Sequence, residues 1–114
     1  MVTQKEISKL QFIYVTTTGR KTGLPREIEI WFVERQGKFY IFAEHFDKAN
    51  WVRNIQKASR VTARLDKQTF SATARVLDEK QDAQLWRETQ QLCREKYGWG
   101  EGLPVEITPD ETLV

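Results

Sequence analysis

The stretch from Arg26 to Ala43 constrains the fold more than any other. Residues 26–35 alternate, with Ile28, Ile30 and Phe32 on one face and Glu27, Glu29, Trp31 and Val33 on the other. That period of two belongs to a β-strand. Gln36-Gly37 then makes a tight connection to Lys38–Ala43, where Phe39, Ile41 and Ala43 lie opposite Tyr40 and Phe42. This second strand is apolar on both faces. A chain of 114 residues suits one domain, and such a domain buries roughly two-thirds of the surface its unfolded form exposes. A strand that needs cover on both sides in so small a chain predicts a closed barrel, packed against a helix or a second subunit.

The remaining segments fit that frame. Leu10–Thr17 is dense in β-branched and aromatic residues and reads as a strand, while Thr18–Pro25, with two glycines and a proline, reads as a loop. Residues 3–9 form a short helix. Asp47 is placed as the N-cap of a helix over Lys48–Lys57, in which Trp51, Ile55 and Ala58 recur at helical spacing beside Val52. Val61–Asp66 and Thr69–Leu77 alternate again and form a second hairpin turning at Lys67-Gln68. Asp78 is placed as the cap of a longer helix to about Tyr97, with an inner stripe of Leu85, Trp86, Thr89, Leu92, Cys93 and Tyr97. Gly98, Gly100 and Gly102 end it, and LPVEITP adds one last short strand. The order predicts a mainly β (α+β) fold in a single domain over 1–114: an antiparallel barrel of about six strands, with a short helix between hairpins and a longer C-terminal helix.

Composition removes several function classes. With 18 basic and 16 acidic side chains the formal charge is +2, too mild to imply a polyanion partner by itself. The single cysteine, Cys93, makes no intrachain disulfide and reads as a small core residue, which points to a reducing, cytoplasmic compartment. The start, MVTQKEISKL, has no apolar core of a signal peptide, and no apolar run approaches the ~20 residues of a membrane span. One histidine and one cysteine make neither a zinc cluster nor a Cys–His nucleophile. Neither a membrane nor a nucleic acid is expected as a partner.

The segment richest in chemistry is TTTGRKTGLPR, residues 16–26. It gathers Arg20, Lys21 and Arg26 with the hydroxyls of Thr16, Thr17, Thr18 and Thr22 and with two glycines that let backbone N–H groups approach an anion. A phosphate cradle has this chemistry. From composition alone a solvated basic turn accounts for the residues at least as well, and the spacing is not that of a Walker loop. In DKANWVRNIQKAS, Asn54 interrupts an apolar helical stripe next to Trp51 and Ile55 and shares a face with Asn50. A buried amide is satisfied by a loop contact or by a ligand, and Trp51 is either core or a stacking surface. His45 sits in the loop AEHFD, as a surface residue or a site residue. Glu27 and Glu29 read as surface charge.

Taken together and in order, TTTGRKTGLPREIEIWF, YIFAEH and NWVRNIQKASRVTARL resemble the deazaflavin-dependent nitroreductase family, within the split β-barrel flavoproteins related to pyridoxamine-phosphate oxidase. The resemblance covers about residues 10–77, and LPVEITP is similar to the family's closing segment. It implies a barrel, usually dimeric, that binds coenzyme F420 or, in some branches, FMN. Arg20, Lys21, Thr22, Gly23 and Arg26 would hold the cofactor phosphate. Ala43, Glu44 and His45 would line the ring, with Trp51 and Asn54 beside it. Many members carry proline where this chain has Glu29, and small residues where it has Glu44-His45. The implied activity is hydride transfer to a small-molecule acceptor such as an enone, quinone or nitro compound, in a homodimer, with solvent, His45 or Tyr40 as the proton donor. Two other readings stand beside it: an FMN-binding oxidase, reductase or flavin carrier, and a non-catalytic nucleotide or single-stranded nucleic-acid module.

Overall fold

Among the described residues six antiparallel strands close on themselves into a barrel. A computed structural model describes residues 4–112. In chain order these are α1 (Gln4–Lys9), β1 (Phe12–Thr18), β2 (Pro25–Arg35), β3 (Lys38–Ala43), α2 (Asn50–Lys57), β4 (Arg60–Leu65), β5 (Gln68–Val76), α3 (Ala83–Tyr97) and β6 (Leu103–Pro109). The first residue of the helix expected over 3–9 lies outside the described residues.

Alternation decides which side chains fill the barrel. Ile13 and Val15 of β1 pair with Ile30 and Ile28 of β2, so all four point inward. Phe32, Phe39, Ile41, Val105 and Ile107 continue this inner cluster, which Ile7 of α1 and Ile55 of α2 also join. The opposite face of β2 and β3 is apolar as well. There Val33, Tyr40 and Phe42 pack with Cys93 of α3, which is why β3 is buried on both sides. The LPVEITP strand is more than a trailing edge. As β6 it runs between β3 and β5 and closes the barrel, and its first five residues are buried.

Three local expectations are corrected. The second hairpin turns at Asp66-Lys67, one residue earlier than expected, with Leu65 paired to Gln68. Asp66 takes φ 53°, a left-handed conformation that aspartate tolerates better than most residues. Asp47 does not cap α2: it lies in a 3-10 turn over Phe46–Lys48, and the helix starts after Ala49 without a side-chain cap. Asp78 does not cap α3 either. Its carboxylate accepts the backbone N–H groups of Lys80 and Gln81 at 2.9 and 2.8 Å, which makes a turn, and the helix begins five residues later at Ala83. Of the expected inner stripe of α3, Trp86, Thr89 and Cys93 are buried, while Leu85, Leu92 and Tyr97 are partly covered. Among the described residues no helix is long and apolar enough to cross a membrane.

Candidate functional site

The loop joining β1 to β2 is built to hold its shape without a ligand. Gly23 donates to the Gly19 carbonyl at 2.7 Å and Gly19 donates to that of Leu24 at 2.8 Å, and these bonds close the turn. Gly23 takes φ 74°, a conformation that favours glycine. From below, α2 grips the same loop. The Asn54 side-chain oxygen accepts both the Arg20 backbone N–H at 3.1 Å and its Nη1 at 3.0 Å, and the amide nitrogen donates to Thr17 Oγ1 at 3.1 Å. The Arg20 guanidinium also reaches the Asn50 carbonyl and side-chain oxygen, at 3.4 and 3.3 Å, and Lys57 Nζ donates to the Arg20 carbonyl at 2.9 Å. Asn54 and Thr17 are both buried. The amide in the apolar stripe is therefore satisfied by a loop contact.

Above this scaffold lies an open cleft of about 530 Å³, lined by Arg20, Lys21, Thr22, Arg26, Trp51 and Asn54, with Ile28 and Asn50 beside them. The volume falls in the ordinary range of small-molecule sites, roughly 300–1,000 Å³. The three cations expected from the sequence do meet at one cleft, but in unequal states. Arg20 is committed to the two asparagines, whereas Lys21 and Arg26 are exposed and form no ion pair among the described residues. No carboxylate lines the cleft. Unpaired cations over a backbone turn attract an anion. Gly23 is not part of the lining; it faces a hydroxyl-rich hollow on the other side of the loop, with Thr16, Thr18 and Thr62.

A second cleft, of about 620 Å³, adjoins the first, and Trp51 lines both. Its walls are Phe12, Trp31, Phe42, Trp51 and Trp99, and Ala43, Glu44 and His45 lie along its margin as expected from the end of the hairpin. Trp51 is half-buried: it packs against the inner cluster and still presents a surface to both clefts. Glu29, read from the sequence as surface charge, also lines this cleft, and its carboxylate accepts the Tyr14 hydroxyl at 2.5 Å. The bond to Glu29, followed by desolvation, lifts the Tyr14 phenol above its ordinary range. Trp31 is held flat against Tyr97 of α3, with ring centroids 4.4 Å apart and planes 5° from parallel. Tyr97 is itself anchored, taking the Phe32 N–H at 3.2 Å and donating toward the Gln11 and Phe32 carbonyls at 2.8 and 2.9 Å. The lone Trp99, in the glycine-rich tail of α3, closes the far wall. Gly102 lies behind it, where a Cβ would stand 2.7 Å from the Trp99 ring.

Tyr40, one of the candidate proton donors, lines neither cleft. It points outward beneath α3, is 1% exposed and donates to Glu106 at 2.9 Å. Desolvation, followed by that hydrogen bond, pushes its pKa far above the usual phenol range. Tyr40 shares the outer face of β3 with Phe42, a wall of the cleft, but its proton is committed to Glu106 under α3. His45 does line the aromatic cleft, exposed, with no side-chain partner among the described residues.

Comparison with known proteins agrees with this fold. The family model described as F420H(2)-dependent quinone reductase matches residues 2–108. A solved F420-H2 dependent reductase, FDR-A, is similar at 25% identity with a TM-score of 0.64, over 85% of this chain and 92% of that one. The heme storage protein HutZ from Vibrio cholerae shares the fold at 19% identity and a TM-score of 0.74, over 94% of this chain and 87% of its own. So does Rv2991 from Mycobacterium tuberculosis, a conserved hypothetical protein, at 14% identity and a TM-score of 0.77, over 97% and 82%. The match spans nearly the whole barrel together with both clefts, and the chain belongs to the F420H(2)-dependent quinone reductase family.

Proposed function

We propose that this chain is an oxidoreductase that binds coenzyme F420 across the two clefts and serves hydride transfer to a small organic acceptor, an enone, quinone or nitro compound. The observation that carries the reading is the adjacency of an unpaired cationic cradle and an aromatic cleft, with Trp51 common to both, in a chain of this family. The residues present fit such a cofactor. Lys21 and Arg26 offer free charge to a phosphate, Thr22 adds a hydroxyl, and Arg20 with Asn54 keeps the loop in place beneath them. Hydrogen bonds to a charged group contribute roughly 1.5–3 kcal/mol each, so two or three of them give useful affinity before any ring contact.

When bound, the deazaflavin supplies the hydride. The protein positions and shields. Trp51 would stand between the residues that hold the phosphate and those that hold the ring, Ala43 would offer a small buried surface at the hairpin's end, and Trp31, Trp99 and Phe12 would screen the acceptor from water. His45 and solvent are the proton sources within reach of that cleft. The homodimer expected from the resemblance belongs to the same proposal, since Phe12, 37% exposed at the second cleft, and Leu24, 54% exposed in the β1–β2 loop, would gain cover from a second copy. Light scattering on the purified protein measures that directly.

Titration with F420 and with FMN tests the cofactor assignment. F420 is expected to bind, and Lys21→Ala combined with Arg26→Ala is expected to weaken it at least tenfold. Unchanged affinity in the double variant refutes the cradle, and tighter binding of FMN than of F420 shifts the assignment to a flavin.

A further inference from the structure

No residue of α3 lines either cleft, yet the helix stands behind two of the aromatic walls. Behind Trp31 the Tyr97 ring lies parallel at 4.4 Å, and its hydroxyl is tied to the backbone of Phe32, the next residue along β2. Lys96 Nζ donates to the same Phe32 carbonyl at 3.1 Å, so two consecutive side chains of the helix grip the strand beside this tryptophan. Trp99 is held in another way. It follows Gly98, whose left-handed φ of 81° ends the helix, and it precedes Gly100 and Gly102, neither of which has room for a Cβ. The carbonyls of both these glycines are taken by α3: Arg94 Nη1 donates to Gly100 and Gln90 Nε2 to Gly102, each at 2.9 Å. The chain is drawn back along the helix, and the Trp99 indole packs over the bare Cα of Gly102. Both indoles are thus ordered by the fold rather than by a ligand.

Resting on the reading above that a deazaflavin ring enters this cleft, we infer that Tyr97, Gln90 and Arg94 are positioning residues for that ring: without lining the cleft, they fix the planes of Trp31 and Trp99 before the ring arrives. The phosphate cradle has a different scaffold, the β1–β2 loop gripped by Asn54 of α2, and none of its bonds involves α3. The two ends of the cofactor are therefore separable. Loosened walls lower affinity for the whole molecule and leave affinity for a phosphate alone unchanged. A side chain that must be ordered at the moment of binding lowers affinity by roughly two- to tenfold.

Two variants test the walls one at a time. Tyr97→Phe keeps the stacked ring and removes its tether, and Gln90→Met keeps the side-chain length and removes the donor to Gly102. Each is titrated with F420 by fluorescence and with inorganic phosphate by phosphorus NMR. At saturation, the circular dichroism that the protein induces in the visible band of the bound deazaflavin reports how uniformly the ring is held. F420 is expected to weaken about fivefold in each single variant, with phosphate affinity kept within about twofold and the induced signal reduced. The two effects combine in the double variant, because they act on different walls. Parent-like F420 affinity and induced signal in both single variants overturn the inference. A parallel fall in phosphate affinity overturns it too, since α3 would then support the barrel as a whole rather than the cleft. Should Tyr97→Phe lose its far-ultraviolet circular dichroism, Gln90→Met and Arg94→Met carry the test at the Trp99 wall. A parent protein that does not bind F420 refutes the deazaflavin reading and this inference with it, whereas a parent that binds F420, with unaltered variants, removes the inference alone.

Discussion

Replacing Asn54 by alanine tests whether α2 holds the phosphate loop. The side chain is 4% exposed and makes three hydrogen bonds: from the Arg20 N–H at 3.1 Å, from Arg20 Nη1 at 3.0 Å, and to Thr17 Oγ1 at 3.1 Å. The charge-assisted bond is worth roughly 1.5–3 kcal/mol and each neutral one roughly 1 kcal/mol when a partner is left behind. Arg20 is only partly covered and can turn to water, which recovers a share of the first two. Thr17, 1% exposed, cannot. A net loss of about 2–3 kcal/mol follows, equivalent to a fall in melting temperature of roughly 8–15 °C for a chain of this size. Because Arg20 and Asn54 share these bonds, Arg20→Ala and Asn54→Ala should be non-additive, coupling by about 1 kcal/mol or more in a double-mutant cycle. Hydrogen exchange adds a local readout: amides of residues 19–24 should lose protection in the variant while those of β3 and β6 keep it. A melting temperature within about 2 °C of the parent, or strictly additive single variants, refutes the claim that this amide orders the loop.

Other perturbations read other parts of the molecule. Gly100→Ala places a Cβ 2.2 Å from the Gln90 carbonyl oxygen and 2.6 Å from Arg94 Cγ. Because the first of these is backbone, a loss of at least about 1–3 kcal/mol is expected in urea unfolding, and an unchanged midpoint contradicts the tight return of the chain against α3. Tyr97→Phe removes the hydroxyl that ties α3 to Phe32 and Gln11, so a loss of about 1–2 kcal/mol is expected, with red-shifted Trp31 emission as its stacking partner loosens. Stability should also bend with alkaline pH. Burial lowers Lys96 from 10.5 to about 8, so above pH 8 the unfolded chain holds a proton that the folded one has released, and stability rises with pH. Burial raises Cys93 from 9.0 to about 11, which offsets the gain from Lys96 above pH 9, and Tyr97 from 10.0 to about 12, which turns the slope downward above pH 10. Denaturant midpoints that rise from about pH 8, level off between about pH 9 and 10 and fall beyond are the expected result, with Cys93→Ala prolonging the rise; a fall between pH 8 and 9 speaks against it.

The parts of this fold legible in the sequence are those set by neighbouring residues. Alternation in 26–43 displays the β2–β3 hairpin, because register fixes which side chains face inward, and Gln36 and Gly37 take the positive φ values of 54° and 79° that a tight turn demands. The misplaced elements depend on more distant partners. Asp78 has the chemistry of a helix cap, yet Arg75 and the Asp78 N–H both bind Asp82 at 3.0 and 2.8 Å, which draws the chain into an extra turn before α3 begins. The backbone N–H of Asp78 is also the first cause that lowers the Asp82 carboxyl. The central position of β6 rests on pairing with strands some 30 and 60 residues earlier, for which a seven-residue segment carries no local sign. The site divides in the same way. The phosphate loop is contiguous, so its cations stand out at once. The aromatic cleft is assembled from Phe12, Trp31, Phe42 and Trp99, which come from four separate stretches of the chain, and Glu29 joins it only because the outer face of β2 turns toward that opening.

The division of labour along β2 and α2 has a measurable consequence. Arg26 and Glu29 lie three residues apart on one strand, a separation of about 10 Å at the usual rise of 3.3 Å per residue. This distance is comparable with the Debye length at physiological ionic strength, about 8 Å, and Trp51 stands between the two clefts as a low-dielectric partition. Charge at one end is therefore weakly felt at the other. Lys21→Ala with Arg26→Ala should weaken F420 at least tenfold, whereas Glu29→Gln, at the other end of the same stretch of strand, should change it by less than about twofold. Trp51→Ala, which removes the partition itself, should weaken F420 as well. If Glu29→Gln instead shifts F420 as strongly as the loss of the two cations does, the clefts form one electrostatic site, and the separation read from the geometry is wrong.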